Sequence, residues 1–283
     1  MNKNRSKLLS IFLFALFGIL LLFFLFTSTN QEDQKVSGIY LRSTIWRGTI
    51  TVVGDVFIAP FATLYIMPDT KILFEKESDI NGTSWTKYAD SYIKDHNDPT
   101  GEKGYAATHY EISGTIIANG TSEHPIIVTS AQPKPEYADW DELVLGSGSF
   151  LDHVELAYAH NGINIEGSGV TITNSKIHDS LWSCIDIFST ENIINNNEIY
   201  HCWHQAVGLK VIGKNMILEN TIHDAQLSIN CEHGARPTIQ NNNITAAPVT
   251  QECGAYEQSN KETKRQADTT GGTYGGKMIY PAR

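Results

Sequence analysis

Glu166, Asp186 and Lys210 stand at intervals close to a spacing of roughly 22 residues that recurs through the middle of the chain. If successive repeats stack as parallel strands, Asp186 lies one strand over from Glu166 and two residues along, roughly 8 Å away. Carboxyls about 6.5 to 9.5 Å apart suit inverting glycoside hydrolysis, in which one protonates the leaving oxygen and the other activates water. Lys210 suggests a second chemistry, as the cationic base or oxyanion partner of a lyase, with the carboxylates holding Ca²⁺. The same three residues also fit a solvated sheet face, where Lys210 pairs across strands with Glu232 and no reaction follows. An inverting hydrolase gathers more acids than this, and a lyase usually adds an arginine, so neither set is complete.

Beside them lie groups suited to recognition. His160, Trp182 and His204, followed by Gln226, recur just ahead of each repeat's first strand, and Trp203 and Asn230 belong to the same region. Trp182, Trp203 and His204 can form a strip on which a sugar ring stacks; a Trp that caps a turn against the next repeat is the structural alternative. A second cluster joins His178 and Asp179, Tyr200 and His201, and His223 and Asp224. Stacked imidazoles and carboxylates are ligands for a transition metal. Turn chemistry, with Asp capping a corner beside a solvated His, accounts for the same residues without an ion.

What must position these groups is a repeat. The pairs Ile163 and Ile165, Ile185 and Ile187, Val207 and Leu209, and Ile229 and Cys231 follow one another every 22 residues, each preceded by a small residue: Gly162, Cys184, Ala206 or Ser228. Two more apolar columns follow at a constant offset, Ile172, Ile194, Ile217, Ile239 and Ile177, Ile199, Ile222, Ile244. Three short β-branched strands per repeat cannot each bury a face alone, so they must stack into a triangular prism. Alternation with period 2 excludes helical repeats. Asn174, Asn196 and Asn241, with Glu219 in the remaining repeat, precede the third column by a fixed interval and suit a turn ladder bonded from repeat to repeat.

Residues Leu8 to Phe26 form a nineteen-residue uncharged apolar run, about the length that crosses a bilayer as a helix. Lys3, Arg5 and Lys7 before it, and Glu32 and Asp33 after it, predict a cytoplasmic N-terminus with the rest translocated. The run exceeds a usual signal-peptide core and no A-x-A site follows, which favours an uncleaved single-pass anchor in the cell membrane with the C-terminal domain extracellular or periplasmic. The chain carries 21 Lys+Arg against 31 Asp+Glu, a formal net charge of −10, and about −13 without the three basic residues ahead of the anchor. Such a surface repels phosphate backbones, which excludes nucleic acid as a partner, while neutral polysaccharides, cell-surface glycans and cations remain compatible. Cys184 and Cys231 fall two repeats apart, roughly 10 Å at strand spacing, beyond disulfide reach of one another, and are expected to be inert core thiols.

The resulting organisation is a cytoplasmic segment 1–7, a transmembrane segment 8–26, a linker 27–37, a stack of coils over 38–245 interrupted by an aromatic-rich loop 75–111, and a polar tail 246–283. The phrases Gly48-Thr49-Ile50, Gly54-Asp55-Val56, Ala62-Thr63-Leu64, Pro68-Asp69-Thr70, Gly114-Thr115-Ile116, Gly120-Thr121, Pro125-Ile126 and Thr129-Ser130 resemble the entry coils of secreted right-handed parallel β-helix repeat proteins, the pectate-lyase-like fold. The resemblance spans roughly Gly38 to Ala246 and implies an all-β solenoid. That architecture hosts pectate lyases, polygalacturonases and non-catalytic surface proteins. The expectation is therefore an exported, membrane-anchored β-helix that binds glycan or builds surface structure, with a pectin-degrading lyase or inverting hydrolase, and a metal-binding protein, as the alternatives.

Overall fold

The computed structural model describes residues 33–76 and 110–245, together with Cys253 and residues 261–262. The apolar run 8–26, nearly all of the loop read over 75–111 and most of the tail after 246 lie outside these residues. Among the described residues no helix is long and apolar enough to cross a membrane.

Every strand pairs in parallel, and strands repeat in threes. The chain enters through β1 (Gln34–Tyr40), which begins in the segment 27–37 read as linker and runs into the coil stack, then β2 (Thr44–Trp46) and β3 (Thr49–Ile58). The next coils supply β4 (Leu64–Ile66), β5 (Lys71–Phe74), β6 (Ile112–Gly114), β7 (Ile116–Asn119), β8 (Ile126–Ser130), β9 (Leu143–Leu145), β10 (Phe150–Asp152) and β11 (Val154–Ala157). The regular part follows with β12 (Ile163–Ile165), β13 (Thr171–Thr173), β14 (Lys176–Ser180), β15 (Ile185–Ile187), β16 (Ile193–Asn195) and β17 (Glu198–Cys202). It continues through β18 (Gln205–Leu209), β19 (Met216–Leu218), β20 (Thr221–His223), β21 (Leu227–Cys231), β22 (Thr238–Gln240) and β23 (Asn243–Ile244). A further rung, β24 (Lys261–Glu262), pairs with β23 beyond the point where the apolar columns stop.

The first face runs β3-β6-β9-β12-β15-β18-β21, the second β2-β4-β7-β10-β13-β16-β19-β22, and the third β5-β8-β11-β14-β17-β20-β23-β24. The long β3 joins first and third faces, because Thr49–Val52 pair with β5 while Val56 and Phe57 pair with β6.

The three apolar columns stack as their spacing demands. Ile163, Ile185, Val207 and Ile229 are in direct register, as are Ile172, Ile194, Ile217 and Ile239, and Ile177, Ile199, Ile222 and Ile244. All are buried. Each such side chain contributes about 1.5 to 3 kcal/mol by leaving water, so the core is an additive stack of near-identical layers.

Corners are closed by polar side chains of two kinds. Asn174, Asn196, Glu219 and Asn241 adopt left-handed backbone, φ 50°, 54°, 57° and 57°, and Asn196 Nδ2 donates to Asn174 Oδ1 at 2.6 Å. The residue after each one turns inward. Asn197, Asn220 and Asn242 are buried, and each Oδ1 accepts the backbone N–H one coil back: Asn197 from Ser175, Asn220 from Asn197, Asn242 from Asn220, all at 2.9 Å. Their amides donate to the carbonyls of Ile172, Ile194 and Ile217. Buried turns thereby satisfy backbone groups that no strand reaches.

The cysteines correct the expectation of inert thiols. Cys184 and Cys231 are core residues, but Cys184 is bonded to Cys202, with Cα atoms 5.4 Å apart, and Cys231 to Cys253, at 4.9 Å. Distance does keep Cys184 and Cys231 from pairing with each other. Each instead meets a cysteine from a neighbouring coil: Cys202 stacks on Ser180 at the corner just before Cys184, and Cys253 follows Cys231 by 22 residues, one full coil.

Candidate functional site

The first face carries the polar groups of interest, and its parallel register sets what stands beside what. One outward column reads Ile39, Phe57, Ser113, Val144, Asn164, Asp186, Gly208, Asn230 along the stack. Apolar at the N-terminal coils except for Ser113, it carries Asn164, Asp186 and Asn230 farther along.

Asp186, on β15, is 3% exposed and sits inside a network. Gln205 Nε2 donates to its Oδ1 at 2.6 Å, Asn230 Nδ2 donates to Gln205 Oε1 at 2.8 Å, and the same amide reaches Glu232 Oε1 at 2.9 Å. Lys210 Nζ lies 2.6 Å from Glu232 Oε1 and 3.9 Å from Asp186 Oδ1. Burial raises the Asp186 pKa above the usual carboxylate value, and the Lys210 charge pulls against that rise. Gly208 makes room for the network, since a Cβ there would run into Gln205 and Asp186. Asp186 and Lys210 thus come together as the spacing suggested, with Lys210 engaged by Glu232 as the cross-strand reading had it. Glu166 is exposed in the turn after β12.

Next to this network, His160, Trp182 and His204 follow one another coil by coil, Trp182 N–H donating to the His160 carbonyl and His204 N–H to the Trp182 carbonyl. The Trp182 and His204 rings stack with centroids 4.3 Å apart and planes 18° from parallel, so His204 covers one face of the indole. Trp203, half-buried, sits in the turn between β17 and β18.

Toward the N-terminal coils lies a carboxylate group outside the regular repeat. The register column occupied by Gly162, Cys184, Ala206 and Ser228 in later coils holds Asp55, Glu111 and Glu142 in earlier ones. Glu142 Oε2 accepts from Asn164 Nδ2 at 3.0 Å and Asn161 Nδ2 at 3.2 Å. His160 Nδ1 lies 3.4 Å from Asp141 Oδ1. Burial, with Asp141 and Asp55 nearby, pushes the Glu111 carboxyl up to about 7; burial, Asp141 and Glu111 hold Glu142 well above the usual range. Burial and like charge thus act in the same direction on both carboxyls, against ionisation. The available signal was an acid directly ahead of the inward apolar residue in Asp55-Val56, Glu111-Ile112 and Glu142-Leu143.

The histidine cluster lies on the third face. Tyr200 stacks between His178, centroids 4.7 Å, and His223, 4.8 Å. His178 Nδ1 lies 2.8 Å from Asp179, His201 Nδ1 3.2 Å from Asp179, and His223 Nδ1 2.9 Å from Asp224. Asp179, His201 and Asp224 hold left-handed corners at φ 51°, 52° and 49°. Burial opposes the charge on His178, yet Asp179 and Glu155 outweigh it and raise its pKa to about 9. Among the described residues no group of three or more His, Cys, Asp or Glu side chains is placed to hold a metal ion. The histidines and carboxylates are engaged with one another.

The stacked parallel coils define a parallel β-helix repeat protein. Residues 143–264 match the family model of the right handed beta helix region, in agreement with that architecture. No curated protein and no solved structure matches the chain.

Proposed function

We propose that the chain is a membrane-tethered β-helix that binds neutral glycan along its first face, anchored through Leu8 to Phe26. The observation that carries this reading is the row of mutually fixed amides and carboxyls, Glu142, Asn161, Asn164, Asp186, Gln205 and Asn230, running beside the Trp182–His204 stack. Preset donors and acceptors next to an aromatic edge match the alternating polar and apolar surface of a sugar. Asp186 and Lys210 are engaged within their own network, which favours scaffold and recognition over proton transfer at those two residues.

The test is a glycan array with the full chain, followed by product analysis on the ligands that bind. Trp182→Ala should weaken binding by roughly 1 kcal/mol, about fivefold, with the thermal midpoint nearly unchanged. Asp186→Asn should be tolerated within a few-fold. No glycan bound at any concentration, with both variants indistinguishable from the parent, would reject the reading.

A second reading is glycoside hydrolysis, favoured by Glu111 and Glu142, both with a pKa raised by burial, beside Asp141. A carboxyl whose pKa is raised by burial is suited to the general-acid role. Under this reading Glu142→Gln abolishes turnover by roughly 100-fold or more while binding persists, and Asp186→Asn does not.

A further inference from the structure

The N-terminal end of the solenoid exposes large apolar side chains that its own coils leave uncovered. Phe61 is 77% exposed, Ile39 69% and Leu41 63%, and Ile45, Tyr65 and Phe57 are exposed as well. Register brings them to one corner: Ile39 is the partner of Phe57 on β1 and β3, Ile45 is the partner of Tyr65 on β2 and β4, and Leu41 and Phe61 lie in the turns that link those strands. Among the described residues β2 has a strand partner only on its β4 side, so this corner is also an open sheet end. Monomeric surfaces seldom leave so many large apolar groups contiguous without an occupant.

Charge and chain length narrow the choice of occupant. From Gln34 to Gly54 the chain carries Lys35, Arg42 and Arg47 and no acidic residue, although its net charge is −10. Lys35 is paired with Glu75 at 2.7 Å, whereas Arg42 and Arg47 are exposed on either side of Ile45. The uncharged apolar run ends at Phe26, seven residues before Asp33, a distance the chain can span by at most about 25 Å. Basic residues flanking an apolar patch fit the boundary between anionic headgroups and acyl chains.

We infer that the first coil of the β-helix lies against an anionic membrane surface, with Ile39, Leu41, Ile45 and Phe61 entering the headgroup boundary and Arg42 and Arg47 meeting lipid phosphate. This rests on the tether proposed above and adds a contact: the corner between the first and second faces at the N-terminal coils meets the bilayer.

The full chain is reconstituted into phosphatidylcholine vesicles with and without phosphatidylglycerol, containing lipids brominated near the headgroup end of the acyl chains. Tryptophan emission of Phe61→Trp is compared with that of Phe188→Trp, an exposed site on a distant coil of the first face. Phe61→Trp should be quenched roughly twofold or more beyond Phe188→Trp, and more strongly with phosphatidylglycerol. Equal quenching at the two sites in a chain that resists alkaline carbonate extraction overturns the inference and leaves the tether standing. Release by carbonate overturns both. A blue shift of Phe61→Trp that grows with protein concentration in detergent, without quenching in vesicles, assigns the corner to a second copy of the chain and also overturns the inference.

Discussion

Among single side chains, Glu111 and His178 make stability depend on pH in separate windows. The Glu111 pKa is raised in the folded chain to about 7 from an ordinary 4.5, so folding favours its protonated form. Its contribution is intact below 4.5 and is lost as pH rises to about 7. Glu111→Gln should therefore raise the thermal midpoint at pH 8 and change it little at pH 4. The His178 pKa is raised from 6.5 to about 9, so the stability from its pairs with Asp179 and Glu155 is full below 6.5 and is lost as pH rises through about 9. His178→Gln should lower the midpoint at pH 6 and converge on the parent above pH 10. Melting curves across pH for the two variants check both windows. Sequence spacing located His178, Asp179, His201, His223 and Asp224 as neighbours, because parallel register makes one-coil spacing equivalent to contact. It passed over Glu111 and Glu142, since an acid ahead of an apolar residue is ordinary in a sequence and becomes unusual only when several coils stack theirs in one column.

At the scale of elements, the coils are tied together in three ways, each with a measurable cost of loss. Ile185 is fully buried between Ile163 and Val207, and Ile185→Asp would place an unpaired carboxylate in the close-packed interior. It should abolish the cooperative melting transition; native-like melting would reject the register. Asn197 satisfies the Ser175 N–H and the Ile172 carbonyl within the core, so Asn197→Ala should cost about 2 to 4 kcal/mol by leaving those groups buried and unpaired. The two disulfides close loops 18 and 22 residues apart in sequence, each worth about 3 kcal/mol by restriction of the unfolded chain. Reduction under native conditions should lower the midpoint, and Cys231→Ser should loosen chiefly the last coils, as read by amide hydrogen exchange. The left-handed corners at Asn174, Asn196 and Asn241 were legible because asparagine tolerates that backbone. The inward ladder one residue later was not, because the asparagines of the two ladders adjoin in sequence and only the corner's direction separates them.

For the molecule as a whole, the acidic balance bears on the ligand. A face that binds neutral glycan through hydrogen bonds and ring contacts should hold its affinity within about threefold between low and high salt. A polyanionic ligand would instead bind better as salt rises and repulsion is screened, and titration calorimetry at two ionic strengths separates the cases. The amino-acid sequence alone determined the repeat, its three inward columns and the stacking of Ile163, Ile185, Val207 and Ile229, because burial with period 2 admits one register and a shift of one residue would turn every apolar side chain to water. Tertiary structure alone decided which cysteines join, which carboxyls have a pKa raised by burial and where the uncovered apolar corner lies. Those properties depend on distances between neighbouring coils and on the number of charges brought to one place, and neither quantity is carried by any single repeat.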